Sequence, residues 1–396
     1  MQRYIRLVMG VLALIGAWSA VADPHIQADP DNYRVKSDLS LSTGQTVAAG
    51  TIWYNPPDIE KLKDELAKNI YKGDVAQARK LVFGHDIIYD TYHTVGEGRK
   101  DGHPPLAKGR IFNCGNCHAR GGTVPYAWPF FRTLTHYGLS ENKDPGIFSN
   151  NLGYHRDARV RARDCALECG GIVNIREDSP EMDALVAWFA AVRDGIYPGE
   201  GLLIPEFKTK ADVGKIPGAT LPLFPDVLKM RVDVKAGATL YKNNCSSCHG
   251  KDGAGMWAEG VGYEIPPLAG PNAFADVGGP LMVPIGAAFL YRNMPMFNFG
   301  AISEQQALDI MGFVASLPRQ TVWWNPYFFK HDPCGRPPFL PLHVGAVPKG
   351  FPFSKKQAQF GPWKEIADWL ASDACRAQNK KSTPELTSHF DPLTPK

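Results

Sequence analysis

The chain has 396 residues, 44% of them hydrophobic, and a formal net charge of +3 that falls toward zero once Arg3 and Arg6 of its leader are removed. So even a balance excludes a general nucleic-acid binder and a partner recognised by bulk charge. The length suits two domains with extensions, and 39 glycines with 33 prolines favour loop-rich units over long regular bundles.

At the N-terminus, Arg3 and Arg6 precede an apolar run from Leu7 to Trp18, and Ala20-Val21-Ala22 follows. This is the pattern of a signal peptide (residues 1–22) cleaved after Ala22, which predicts a periplasmic protein. The apolar run is short of the ~20 residues a bilayer-spanning helix needs, and no later segment is apolar enough, so no transmembrane segment is expected in the mature chain. Residues 23–75 read as an N-terminal extension. From Asp58 the sequence becomes helical, with a break near Gly73.

Two stretches then repeat one pattern: "RIFNCGNCHARGG" at 110–122 and "KNNCSSCHGKDGAG" at 242–255. A closed zinc site wants four N/S ligands from paired clusters, and no matching second pair follows either C-x-x-C at finger spacing. A thioredoxin-like redox centre wants a βαβ setting, which neither copy has. Covalent haem accounts for every residue of the motif. Cys114 and Cys117 would tether one haem c with His118 as its iron ligand, and Cys245 and Cys248 a second with His249.

The first haem domain is expected over 76–198. It closes with a helix at 179–195, where Pro180 takes the first position, Glu181 and Asp183 face the positive helix end, and Met182, Leu185, Val186, Phe189 and Val192 form the buried stripe. The stretch where a distal methionine would lie has none. It reads "GYHRDARVRARDCALECGG", an arginine-bearing loop that leads into Cys165. His136, His155, Cys165 and Cys169 are all candidates for the far side of the first iron.

Residues 199–232 form a Pro/Gly-rich linker, and the second haem domain spans 233–320. A helix enters its motif with Ala236, Leu240 and Tyr241 on one side. Ser303 and Gln306 make a capping box for the closing helix, Leu308, Ile310, Met311 and Val314 give it an apolar face, and Pro318 stops it. Between them "YRNMPMFNFG" places Met294 in a loop 45 residues beyond His249, where its thioether can close the second iron. Met282 and Met296 are its rivals. Residues 321–396 are a C-terminal extension whose Cys334 and Cys375 are expected to form a disulfide. The fold class is therefore mainly α: two cytochrome c-like haem domains in tandem with loop-rich extensions.

The set formed by two such domains, a cysteine at the end of an arginine-bearing stretch, "EDSPEMDALVAWFAAV" and "AAFLYRNMP…ISEQQALDI" resembles the dihaem thiosulfate dehydrogenases that form tetrathionate, over roughly residues 80 to 320. The resemblance implies that Cys165 is the thiolate ligand of a catalytic haem 1, and that Met294 completes an electron-transfer haem 2. It also implies that Arg161 binds substrate, with Arg163 as its neighbour in the catalytic set. Clustered guanidinium groups suit two thiosulfate dianions, whose mutual repulsion they oppose. A soluble cytochrome or other redox protein would take the electrons. Cys169 stands where that family has serine, and the stretch from about Trp323 onward lies outside the pattern. A two-haem electron carrier without catalysis is the competing reading, and a dihaem subunit of a thiosulfate-oxidising complex is another.

Overall fold

The computed structural model describes residues 74–387 apart from 108, 110, 140–146, 149–151, 173, 195–220, 297 and 299, and the two short strands Leu39–Ser40 and Thr46–Val47. The expected leader, the helix from Asp58 to Gly73 and most of the linker lie outside the described residues.

The first unit is organised by three long helices: α1 (Val75–Tyr89), α2 (Ala158–Gly170) and α3 (Pro180–Asp194). Asp74 caps α1 by accepting from the Gln77 N–H, just past the break expected near Gly73. α1 crosses α3 so tightly that a Cβ on Gly84 would collide with the Ala184 carbonyl. Trp188 on α3 is fully buried and donates its indole N–H to the Gly121 carbonyl at 2.7 Å, which ties the closing helix to the residues after the first motif.

The second unit repeats this crossing. α4 (Val234–Asn244) meets α6 (Glu304–Ser316) where a Cβ on Gly237 would strike the Asp309 carbonyl, and α5 (Val283–Asn293) packs beside α6. Asp233 caps α4, and the capping box of Ser303 and Gln306 is formed in both directions. Leu308, Ile310, Met311 and Val314 are buried as their spacing predicts. One glycine at one helix crossing in each unit makes the internal repeat visible in packing as well as in the motifs.

The stretch read as an arginine-bearing loop is instead α2. The Asp157 carboxylate accepts from the Val160 N–H at 2.9 Å, and Gly171, left-handed at φ 64°, closes the other end. Its arginines hide the helical period, because their charges are met by carboxylates and not by water. Arg163 reaches Glu177 at 2.6 Å and Asp164 at 2.7 Å, and Arg159 reaches Asp183 at 2.7 Å.

The C-terminal extension runs through turns and short helices at Lys355–Phe360, Lys364–Ala371 and Asp373–Gln378, stapled by the Cys334–Cys375 disulfide. It wraps both units. Trp363, Ile366 and Leu370 join the core of the second unit. Trp324, Phe328, Phe329, Leu340 and Leu386 pack against Leu152, Tyr154, Val160 and Leu167, and so form the floor beneath α2. Among the described residues no helix is long and apolar enough to cross a membrane.

Candidate active site

Both C-x-x-C-H motifs fold into a single tight turn, in which the histidine N–H donates to the carbonyl of the first cysteine at 2.9 Å: His118 to Cys114 and His249 to Cys245. Each imidazole is then fixed by one backbone carbonyl. His118 Nδ1 meets the Trp128 carbonyl at 2.5 Å, and His249 Nδ1 meets the Pro266 carbonyl at 2.9 Å. Engaging Nδ1 as the donor leaves Nε2 with its lone pair outward, the arrangement found when a histidine serves a metal through Nε2. Burial lowers the pKa of His249, which keeps its imidazole neutral. Burial pushes the thiols of Cys114, Cys117 and Cys245 up, to about 11, 12 and 11. Among the described residues no three His, Cys, Asp or Glu side chains converge on a metal site. These features fit haem c.

α2 delivers the rest of the first site. Arg161, Cys165 and Cys169 are four residues apart and share a face of the helix. Cys165 comes within hydrogen-bonding reach of His118, and its Sγ lies 3.9 Å from Sγ of Cys169. The hydrogen bond from the Cys169 thiol, reinforced by the Arg161 charge and by His118, outweighs burial and holds Cys165 well below the ordinary thiol range. The same bond and burial push Cys169 up.

The arginines divide into two groups. Arg156, Arg159 and Arg163 are held by Asp164, Asp183 and Glu177. Arg163, expected to act on substrate beside Arg161, has its guanidinium bound to two carboxylates on the opposite side of the helix. Arg161 keeps an Nη1 that is buried and has no hydrogen-bond partner, 4.0 Å from the Glu168 carboxylate. Burial raises the Glu168 pKa to about 7 against the pull of Arg161.

The other candidate ligands are placed elsewhere. His155 is exposed on the short strand His155–Arg156, and His136 Nδ1 meets Arg132 at 2.8 Å. In the second unit Met294 caps the end of α5 and packs, partly buried, against the core, while Met296 is 43% exposed and Met282 stands at the opposite end of α5. Sequence reasoning missed the two carbonyls that aim the histidines and gave Glu168, a residue shared with the resembled family, no role. Pro266 and the Trp128-Pro129 step, each just beyond a motif, were the available signals.

A Cytochrome c family model matches residues 234–318, so the second unit is a cytochrome c domain, the kind that carries covalently bound haem c. The chain is 25% identical over 284 residues to a thiosulfate dehydrogenase of Stutzerimonas stutzeri (strain A1501), covering 72% of this chain and 78% of the relative. It is 26% identical over 218 residues to a thiosulfate dehydrogenase of Psychrobacter arcticus, covering 54% of this chain and 58% of that one. A solved thiosulfate dehydrogenase from Marichromatium purpuratum shares the fold, with a TM-score of 0.50 at 20% identity, over 61% of this chain and 46% of that chain.

Proposed function

From the premise that this chain is a cytochrome related to the thiosulfate dehydrogenases, we propose that it oxidises two thiosulfate ions to tetrathionate at its first motif and passes the electrons through its second motif to an external redox protein. The observation that carries the reading is the meeting of His118, Cys165 and Arg161, whose buried Nη1 makes no hydrogen bond, at one place in the first unit.

On this reading haem c, tethered by Cys114 and Cys117 and again by Cys245 and Cys248, supplies one-electron acceptors at both motifs. His118 and Cys165 would serve as ligands to the iron of the first haem, and His249 and Met294 to that of the second. Arg161 receives the oxyanion end of thiosulfate, giving its buried donor a charged acceptor and offsetting the repulsion between two dianions. The Cys165 sulfur stands beside the bound sulfur atoms, where it can form a transient S–S bond with substrate. Arg163 supports the site through Asp164 and Glu177 without touching substrate. The first haem domain is assigned to residues 76–198, the second to 233–320, and the leader at 1–22 sends the protein to the periplasm.

The test is a haem count and a thiosulfate-dependent reduction of an artificial acceptor by purified holoprotein. Two covalent haems and an activity abolished by Cys165→Ala are expected. Two haems with no thiosulfate-dependent reduction would leave the chain an electron carrier and overturn the catalytic reading.

A further inference from the structure

Trp128 aims the imidazole of His118 from a backbone that its own sequence does not favour. Its φ is 46°, in the left-handed region, and Pro129 after it steers a preceding residue toward extended backbone. Such a conformation persists where surrounding contacts impose it. The first unit supplies some of them: the Phe130 N–H donates to the Gly122 carbonyl at 2.7 Å, and the Phe130 ring lies against His118 with centroids 4.4 Å apart. The side chain of Trp128 is met from the other unit. Phe289 of α5 stacks on its indole and packs against Ala119, Val124 and Ala127, three buried residues between the first motif and Trp128. Asn293, one turn further along α5, donates to the Tyr126 carbonyl at 3.1 Å. The second motif is served differently. Pro266 is braced inside its own unit, where a Cβ on Gly255 would stand 2.8 Å from the Pro266 carbonyl carbon.

We infer that Phe289 is a positioning residue for His118, acting across the boundary between the units: through the Trp128 ring it seats the carbonyl that accepts from His118 Nδ1 at 2.5 Å. The inference rests on the reading that His118 serves the iron of a haem c at the first motif. A carbonyl held this close to Nδ1 draws the proton toward itself and makes Nε2 a better electron donor. It thereby favours the oxidised state of the metal that Nε2 serves. The docking of the second unit on the first then helps to set the potential at the first motif, because the side chain that fixes the carbonyl stands on α5.

The test is a redox titration of holoprotein that follows each haem by its own signal: low-temperature EPR for the first, the sulfur-to-iron absorption band for the second. Phe289→Leu keeps apolar bulk and removes the stack. It should raise the midpoint potential of the first haem and leave that of the second in place. Phe289→Tyr keeps an aromatic ring and should hold the first midpoint at its wild-type value. The proposal is overturned if the first midpoint stays put in Phe289→Leu, if both midpoints move together, or if Phe289→Tyr behaves as Phe289→Leu does. Thiosulfate-dependent reduction of the wild-type protein keeps the two readings apart. A shifted first midpoint without such reduction removes catalysis and keeps this inference, and reduction with an unmoved midpoint does the reverse.

Discussion

Trp128 and Phe289 stack ring on ring, with centroids 4.3 Å apart and planes 15° from parallel. The contact joins the two units at the places that matter. Trp128 offers its carbonyl to His118, and Phe289 stands on α5, which ends at Met294. Asn293 adds to it by donating to the carbonyls of Tyr126 at 3.1 Å and Phe289 at 2.9 Å, and the Arg292 guanidinium lies 4.4 Å above the Tyr126 ring. Tyr126 and Trp128 both hold left-handed backbone, at φ 62° and 46°, which costs on the order of 1–3 kcal/mol each and persists only where the surroundings enforce it. Replacing Trp128 and Phe289 by Leu, singly and together, should give a coupling energy of about 0.5–1.5 kcal/mol in denaturant unfolding. Strict additivity would mean that the stack joins nothing.

Arg161 and Arg163 should fail in different ways. Arg161→Ala removes a donor aimed at substrate, so KM should rise by an amount equivalent to about 2–5 kcal/mol, with unfolding little changed. Arg163→Ala removes one of the donors to the buried Asp164, which keeps Arg156 at 3.4 Å and the Tyr154 hydroxyl at 3.0 Å, and should cost stability of about 1–3 kcal/mol. Parallel kinetic and unfolding measurements on the two variants check this division, and the reverse pattern would exchange their roles.

Glu168 gives the site a pH dependence. Its carboxyl, raised by burial to about 7, is neutral below that pH and ionised above it, where it competes with substrate for Arg161. Thiosulfate binding should therefore tighten as pH falls through about 7, and Glu168→Gln should flatten the profile at its low-pH level. Stability follows the same sign. A carboxyl with a raised folded pKa binds more protons folded than unfolded, so its contribution is present below the ordinary glutamate value of 4.5 and is lost as pH rises through about 7. An unchanged KM–pH profile in Glu168→Gln would remove Glu168 from the site.

For the second unit, Met294→Ala should abolish the sulfur-to-iron absorption band of the oxidised protein. Met296→Ala, at a side chain 43% exposed, should leave it intact. A band that survives the first substitution and is lost with the second would reassign the ligand.

The Cys334–Cys375 bridge closes a loop with a sequence separation of 41, for which chain-entropy reasoning gives about 4 kcal/mol. Cys334→Ser with Cys375→Ser should lower the unfolding midpoint. Because both cysteines are buried in the core of the second unit, it should also change the spectrum of the second haem more than that of the first. Equal effects on both would mean that the extension supports the two units alike.

How much of this was legible depended on the range of the forces involved. The helix of Val234–Asn244 and the capping box at Ser303 and Gln306 rest on contacts within a few residues, and their sequence pattern is unambiguous. α2 was misread as a loop because its arginines look solvent-facing until Glu177 and Asp183, well downstream, are brought in to neutralise them. The same holds for the floor under α2. Val160 and Leu167 find Phe328 and Leu386 across long sequence separations, and no local period announces such pairings. The aim of His118 was hidden for a subtler reason: it depends on a backbone carbonyl, which every residue possesses.

The floor under α2 also sets an order of assembly. Trp324, Phe328, Leu340 and Leu386 are synthesised after both C-x-x-C-H motifs, and domains generally begin to fold from the N-terminal side as the chain is made. The helix that carries Cys165 therefore waits for the last part of the polypeptide before its lower face is covered. A chain cut short before Trp324 would carry both C-x-x-C-H motifs while lacking the floor beneath the helix that brings Cys165 to His118.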